Sequence, residues 1–172
     1  MSSYYRVSAN KTKEFSSLMG DVAADICIVG AGYTGLSSAL HLAEKGYKVA
    51  VLEAETVGFG ASGRNGGHVG IGQRQDQQYL EEAFGNEVAT LLWHMSLEAI
   101  DTVKELIKKH RIKCDLKHGN VHFAHRSRYT RDLEEEVDFL QDRYDFDQID
   151  YLPKARLSEV IDSDAYYGAV VD

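Results

Sequence analysis

The sequence predicts an α/β fold built on a βαβ unit with parallel strands, followed by the start of a second sheet. Three observations carry that expectation. Ile26-Cys27-Ile28-Val29 is a short β-branched apolar run; it opens directly into the glycine turn Gly30-Ala31-Gly32-Tyr33-Thr34-Gly35; and Lys48-Val49-Ala50-Val51-Leu52-Glu53 resumes a strand that ends in a carboxylate. A strand, a glycine turn, a helix and a second strand in that order imply a right-handed crossover and a Rossmann-like unit.

Residues 1–22 are polar and irregular, an N-terminal arm that Tyr4, Tyr5, Phe15 and Leu18 can tack onto the body. The ordered fold is expected to begin near Ala23. Ile26 to Val29 is apolar throughout, as in a strand covered on both faces by helices. From Gly35 to Lys45 the period changes: Leu36, Ala39, Leu40 and Ala43 form a helical stripe, and Gly46 stops it. Gly58 to Gly72 is dense in glycine, a composition that sacrifices backbone entropy and side-chain burial, and it predicts a turn-rich floor approached closely by a ligand.

From Tyr79 onward apolar residues recur at three- and four-residue steps through Val88, Leu91, Leu92, Met95, Ala99, Val103, Leu106 and Ile107. This predicts one long amphipathic helix, or two with a break near Gly85-Asn86. Val121 to Ala124 fits a strand, introduced by Gly119-Asn120. A helix of ~30 residues carries the chain about 45 Å, so that strand is expected in a second sheet. Arg131 to Leu140 reads as a solvated helix with Leu133, Val137 and Leu140 on its inner side. Ile149 to Leu152, a short element over Leu157–Ile161, and a last strand suggested by Tyr166, Tyr167, Val170 and Val171 complete the chain. The expected organisation is an arm over 1–22, the first part of a nucleotide-binding domain over 23–110, and the start of a second domain with interleaved helices over 111–172. The apolar run that stops at Val170-Val171-Asp172 is expected to be a cut through a larger two-domain fold.

Nineteen Lys and Arg against twenty-seven Asp and Glu give a net charge of −8, which disfavours nucleic acid and anionic membrane as partners. No apolar run approaches the ~20 residues of a membrane span, and the first residues lack the apolar segment of a secretion signal. Cys27 and Cys114 stand far from any metal-ligand spacing, as two reduced cysteines of a cytoplasmic protein. None of His41, His94, His110, His118, His122 and His125 has a convincing ligand partner in sequence, so no metal centre is expected.

The three glycines of the turn have separate jobs. Gly30 permits the tight exit from the strand, Gly32 lets a pyrophosphate approach the backbone, and Gly35 lets the helix close against the sheet. The helix from about Thr34 aims its free N–H groups and positive end at that pyrophosphate, a preference worth ~0.3–2 kcal/mol for an anion. Glu53, ending the second strand, can accept both hydroxyls of an adenosine ribose and would repel a 2′-phosphate, which disfavours NADP. An NAD enzyme would continue toward another βαβ repeat after Glu53. Here the stretch Glu53 to Gly67 intervenes, suited to a longer extended cofactor that uses Ser62 and Asn65 as short polar donors and Arg64 as a cation near pyrophosphate or substrate.

On these residues the segment Asp25 to Gly72 resembles the N-terminal part of the D-amino-acid oxidase (DAO) superfamily of FAD-dependent oxidoreductases, closest to the branch of gamma-glutamylputrescine oxidoreductase-like proteins. Gly30-Ala31-Gly32-Tyr33-Thr34-Gly35-Leu36-Ser37, Val51-Leu52-Glu53-Ala54 and Gly60-Ala61-Ser62-Gly63-Arg64-Asn65-Gly66-Gly67 carry the resemblance. It continues more loosely through Gln73-Arg74-Gln75-Asp76, the long helix, and Asp164 to Ala169. The resemblance implies FAD as cofactor, with Gly30, Ala31, Gly32, Tyr33, Thr34 and Gly35 at its pyrophosphate and Glu53 and Ala54 at its adenosine ribose. Ala61, Ser62, Arg64, Asn65, Gly66, Gly67 and His68 would follow the pyrophosphate, ribityl and flavin side. It implies oxidation of the C–N bond of an amine or N-substituted amino acid by hydride transfer to the flavin, with oxygen as acceptor. It leaves the catalytic residues unassigned.

His68 beside that loop is expected to be a structural histidine, with flavin orientation by hydrogen bond or covalent attachment as alternatives. Related proteins are about twice as long. The resemblance therefore implies that this portion alone is inactive, and that the C-terminal portion belongs to the same chain or is supplied as a separate one. An NAD-dependent dehydrogenase, and an inactive dinucleotide-binding or partner protein, stand as the alternative readings.

Overall fold

The computed structural model describes residues 4–10 and 13–172; the parts of the expected arm at residues 1–3, 11 and 12 lie outside the described residues. Two compact units divide between His68 and Val69. The sequence placed a division near residue 110 instead. The difference lies in the long helix, whose Trp93 packs with Val137, Ile149 and Val170 of the later elements. Amphipathic periodicity marks a buried stripe without naming what it is buried against.

In the first unit a five-residue helix, α1 (Tyr4–Ser8), occupies part of the arm expected to be irregular, its last turn tied by the Ser8 hydroxyl donating to the Tyr4 carbonyl at 3.0 Å. Tyr4, Tyr5, Phe15 and Leu18 are all exposed, so they do not tack the arm down as expected. β1 (Ile26–Val29) pairs in parallel with β2 (Val49–Leu52), Ile26 opposite Val49 and Val29 opposite Leu52. Between them runs α2 (Tyr33–Glu44), stopped as expected by Gly46, whose φ of +90° suits an αL cap. An added Cβ on Gly35 would reach Ile28 Cγ2 at 3.4 Å, so α2 lies over the Ile28 face of the sheet. Cys27 and Val29, pointing to the opposite face, are exposed. Coverage of β1 on both faces is thus not found among the described residues.

The second unit opens with α3 (Gln77–Phe84) and α4 (Asn86–His110). Asp76 caps α3 by accepting from the Tyr79 N–H at 2.7 Å, and Gly85, at φ +81°, makes the break that the sequence left open. β3 (Val121–Ala124), β4 (Asp150–Pro153) and β5 (Gly168–Val171) form an antiparallel sheet in the order β3-β5-β4. The last strand is therefore central. Helix α5 (Thr130–Tyr144) buries Leu133, Val137 and Leu140, the stripe read from the sequence. Trp93, 2% exposed, lies 5.3 Å from both the Tyr144 and Phe146 rings.

Candidate functional site

The site assembles where β1 ends. Gly30 leaves the strand at φ +100°, a conformation that L side chains rarely adopt, while its N–H still donates to the Leu52 carbonyl at 2.7 Å. The chain then turns so sharply that a Cβ on Gly35 would collide with the Gly30 carbonyl oxygen. A Cβ on Gly32, the residue capping α2, would stand 3.0 Å from the Ser62 hydroxyl. The three glycines therefore meet three different steric demands. Of these, only the approach at Gly32 involves the second glycine-rich stretch.

Along the start of α2 the Leu36 N–H bonds the Gly32 carbonyl at 2.9 Å and the Tyr33 N–H bonds Ser62 Oγ at 3.0 Å. The N–H groups of Gly32, Thr34 and Gly35 have no partner among the described residues. Free amides at a helix N-terminus form an anion site, because the donors and the helix dipole act together. Ser62 was expected as a donor. Here it accepts from Tyr33 and keeps its own proton to donate.

Glu53 reaches back across the turn. Its Oε2 accepts from the Ala31 N–H at 2.7 Å and its Oε1 from the Glu55 N–H at 3.1 Å. The Ala31 N–H, followed by the Glu55 and Ala54 amides, holds this carboxyl below the usual carboxylate range, against a weaker opposing effect of desolvation. Each carboxylate oxygen retains a further lone pair for a hydroxyl. The Ala31 carbonyl in turn accepts from the Gly58 N–H at 2.9 Å.

The loop after Gly60 folds as a short 3-10 turn, Ala61–Gly63. Asn65 ties it together: its Nδ2 donates to the Tyr33 hydroxyl at 3.1 Å and to the Ala61 and Ser62 carbonyls, and its Oδ1 accepts from the Gly67 N–H at 2.9 Å. Its amide is committed within the loop, so Asn65 is not the open donor expected from the sequence. Arg64 stacks its guanidinium 4.6 Å from the Phe59 ring centroid, a platform that sequence reasoning missed because nothing in the spacing forces the pair together. Tyr33, Ala61, Ser62, Asn65, Gly66, Gly67 and His68 line an open groove of about 510 Å³. The site residues named from sequence, Gly30 to Gly35 with Glu53, Ala54 and the 61–68 loop, all lie in this one unit.

Among the described residues no group of three or more His, Cys, Asp or Glu could hold a metal ion, and no helix is long and apolar enough to cross a membrane.

Residues 25–172 match the family described as FAD dependent oxidoreductase (DAO). Gamma-glutamylputrescine oxidoreductase of Escherichia coli is 42% identical over 171 residues, 99% of this chain and 40% of that protein. The probable oxidoreductase OrdL of Haemophilus influenzae is 41% identical, with 99% of this chain and 39% of that protein covered. The chain thus spans about 40% of the length of the curated relatives it matches. L-amino acid deaminase from Proteus vulgaris shares the fold, with a TM-score of 0.59 at 18% identity over 91% of this chain and 35% of its own. The glycine turn and the strand-ending acid stand inside the matched span, and the chain belongs to the DAO family of FAD dependent oxidoreductases.

Proposed function

We propose that the turn after β1 holds the diphosphate of FAD and that the protein, at the length of its curated relatives, oxidises the C–N bond of an amine or N-substituted amino acid, with oxygen as acceptor. The observation that carries this reading is the set of Gly32, Thr34 and Gly35 amides, without partners among the described residues, at a helix N-terminus whose glycines leave no Cβ in the way. That arrangement fits a diphosphate. The name of the Escherichia coli relative supports an amine-bearing substrate, and the family description supports a flavin.

In this reading the three amides bind the diphosphate oxygens and the Ser62 hydroxyl adds a donor. Glu53, ionised at neutral pH, accepts the ribose hydroxyls with the lone pairs that Ala31 and Glu55 leave free. Asn65 acts by holding Tyr33 and the 61–67 loop in place, and Arg64 brings positive charge on its Phe59 platform. Gly66, Gly67 and His68 border the groove along which the rest of the cofactor would extend. When bound, FAD supplies the acceptor for the two electrons that leave the substrate's C–N bond. The unit ending at His68 would be the cofactor side, and the β3-β5-β4 sheet the beginning of the substrate domain.

The test is spectroscopic. Purified at the length of its curated relatives, the protein should show flavin absorbance or take up added FAD in preference to NAD, and a panel of amines should bleach the flavin band. Protein that takes up no FAD, or that binds NAD more tightly, overturns the reading.

A further inference from the structure

We propose that the basic run from Lys104 to His118, at the end of α4 and in the chain that leads to β3, seats the protein on an anionic lipid surface. The whole-chain charge of −8 argues against such a partner only where charge is evenly spread, and here it is not. These fifteen residues hold six Lys or Arg against Glu105 and Asp115, whereas the rest of the chain holds thirteen against twenty-five acids. Every residue from Lys108 to Asn120 is exposed. Attraction to a charged surface acts within about a Debye length, roughly 8 Å at physiological ionic strength, so a local cluster governs it.

Lys108, Lys109 and His110, in the last turn of α4, complement the helix dipole, and that role accounts for them. It does not account for the residues beyond. Arg111 closes the helix at φ +51°, and Lys113, Lys117 and His118 follow where no helix end remains to be neutralised. Lys104 and Lys108 lie one turn apart on α4, with Asp101 one turn earlier, and Arg111 continues their side of the helix. Among the described residues Lys104, Lys108 and Arg111 have no carboxylate partner. Lys117 meets Asp115 at 3.3 Å with the two side chains 80% and 84% exposed, a pairing too weak to withhold its charge from a lipid phosphate.

A second observation points the same way. Ile112 and Leu116 stand 49% and 39% exposed among those cations. Apolar side chains held in water beside Lys and Arg suit the headgroup boundary of a bilayer, where the apolar groups enter and the long cationic stems carry their heads back to the phosphates. Single-stranded nucleic acid fits less well, because no Phe, Tyr or Trp stands between Trp93 and Phe123 to stack a base. The contact is peripheral: among the described residues no helix is long and apolar enough to cross a membrane.

Purified at the length of its curated relatives, the protein should cosediment with vesicles of equal parts phosphatidylglycerol and phosphatidylcholine, less so as sodium chloride is raised, and not with phosphatidylcholine alone. Lys104→Gln, Lys108→Gln and Arg111→Gln combined should weaken that binding roughly fivefold for each charge removed, while Lys48→Gln, outside the run, keeps the parent affinity. If the triple variant loses the parent circular dichroism, Lys113→Gln with Lys117→Gln carries the same expectation. No cosedimentation, equal binding to phosphatidylcholine, parent affinity in the folded variant, or tighter binding to a deoxythymidine oligonucleotide than to the vesicles overturns the proposal. Flavin absorbance on the same sample reports separately on the glycine turn, so the two readings fail independently.

Discussion

Among the described residues before Val69, Ala31 is the one buried apolar side chain, whereas Trp93, Ala124, Leu133, Val137, Leu140, Ile149 and Val170 pack together in the unit that follows. A second cluster there joins Leu152, Leu157 and Ala169. The first unit takes its shape from backbone hydrogen bonds, glycine torsions and a few polar side chains that bond the main chain, among them Asp25, Glu53 and Asn65, and the second from interdigitated side chains. The contrast shows that a turn can be specified by main-chain torsions and a few side-chain hydrogen bonds with little burial, while a sheet-and-helix layer needs volume to be filled.

Four substitutions or titrations test this contrast. The largest effect is expected from Trp93→Ala, which empties the centre of the second unit and should cost ~3–5 kcal/mol in denaturant unfolding. A variant as stable as the parent would show that packing is not what holds it. Next is Gly35→Ala, where the new methyl group collides with the Gly30 carbonyl oxygen; it should cost about 1–3 kcal/mol and abolish FAD uptake, read from flavin absorbance. Unchanged uptake would show that the turn tolerates what its geometry forbids. Gly85→Ala, at φ +81°, should cost about 1–2 kcal/mol in thermal unfolding with the helices themselves retained.

The smallest effect is a pH dependence. The folded Glu53 carboxyl titrates below its ordinary value of 4.5, so it stabilises the turn fully above that value and the contribution fades as pH falls through the depressed one. Acid titration followed by the Ala31 amide resonance should show this loss. Glu53→Gln should remove it, and a loss of stability on raising the pH instead would contradict the assigned hydrogen bonds.

Much of the first unit was legible because its signals are local. A short β-branched apolar run and a 3.6-residue period flank a glycine turn, and each of Gly30, Gly32 and Gly35 sits where a torsion or a close approach demands it. The break at Gly85 and the inner stripe of α5 were legible for the same reason. What was not legible depends on partners distant in sequence. The order β3-β5-β4 requires the last strand to insert between two earlier ones, which no local period encodes. Asn65 reads as a free donor until the Tyr33 hydroxyl and the Gly67 N–H are brought to it. The exposure of Cys27 and Val29 likewise contradicts an apolar run that looked covered, since composition cannot say whether a second layer is there.

One residue of the turn has an outcome for binding kinetics. Ala31 is pinned on both sides, its N–H by Glu53 and its carbonyl by Gly58. The two peptide planes that flank it cannot flip in crankshaft fashion without breaking one of those bonds. Conformational freedom that a looser glycine segment would surrender on association is already gone before an anion arrives. Under the proposed function, binding a diphosphate at this turn would need no rearrangement of the two peptides that flank Ala31.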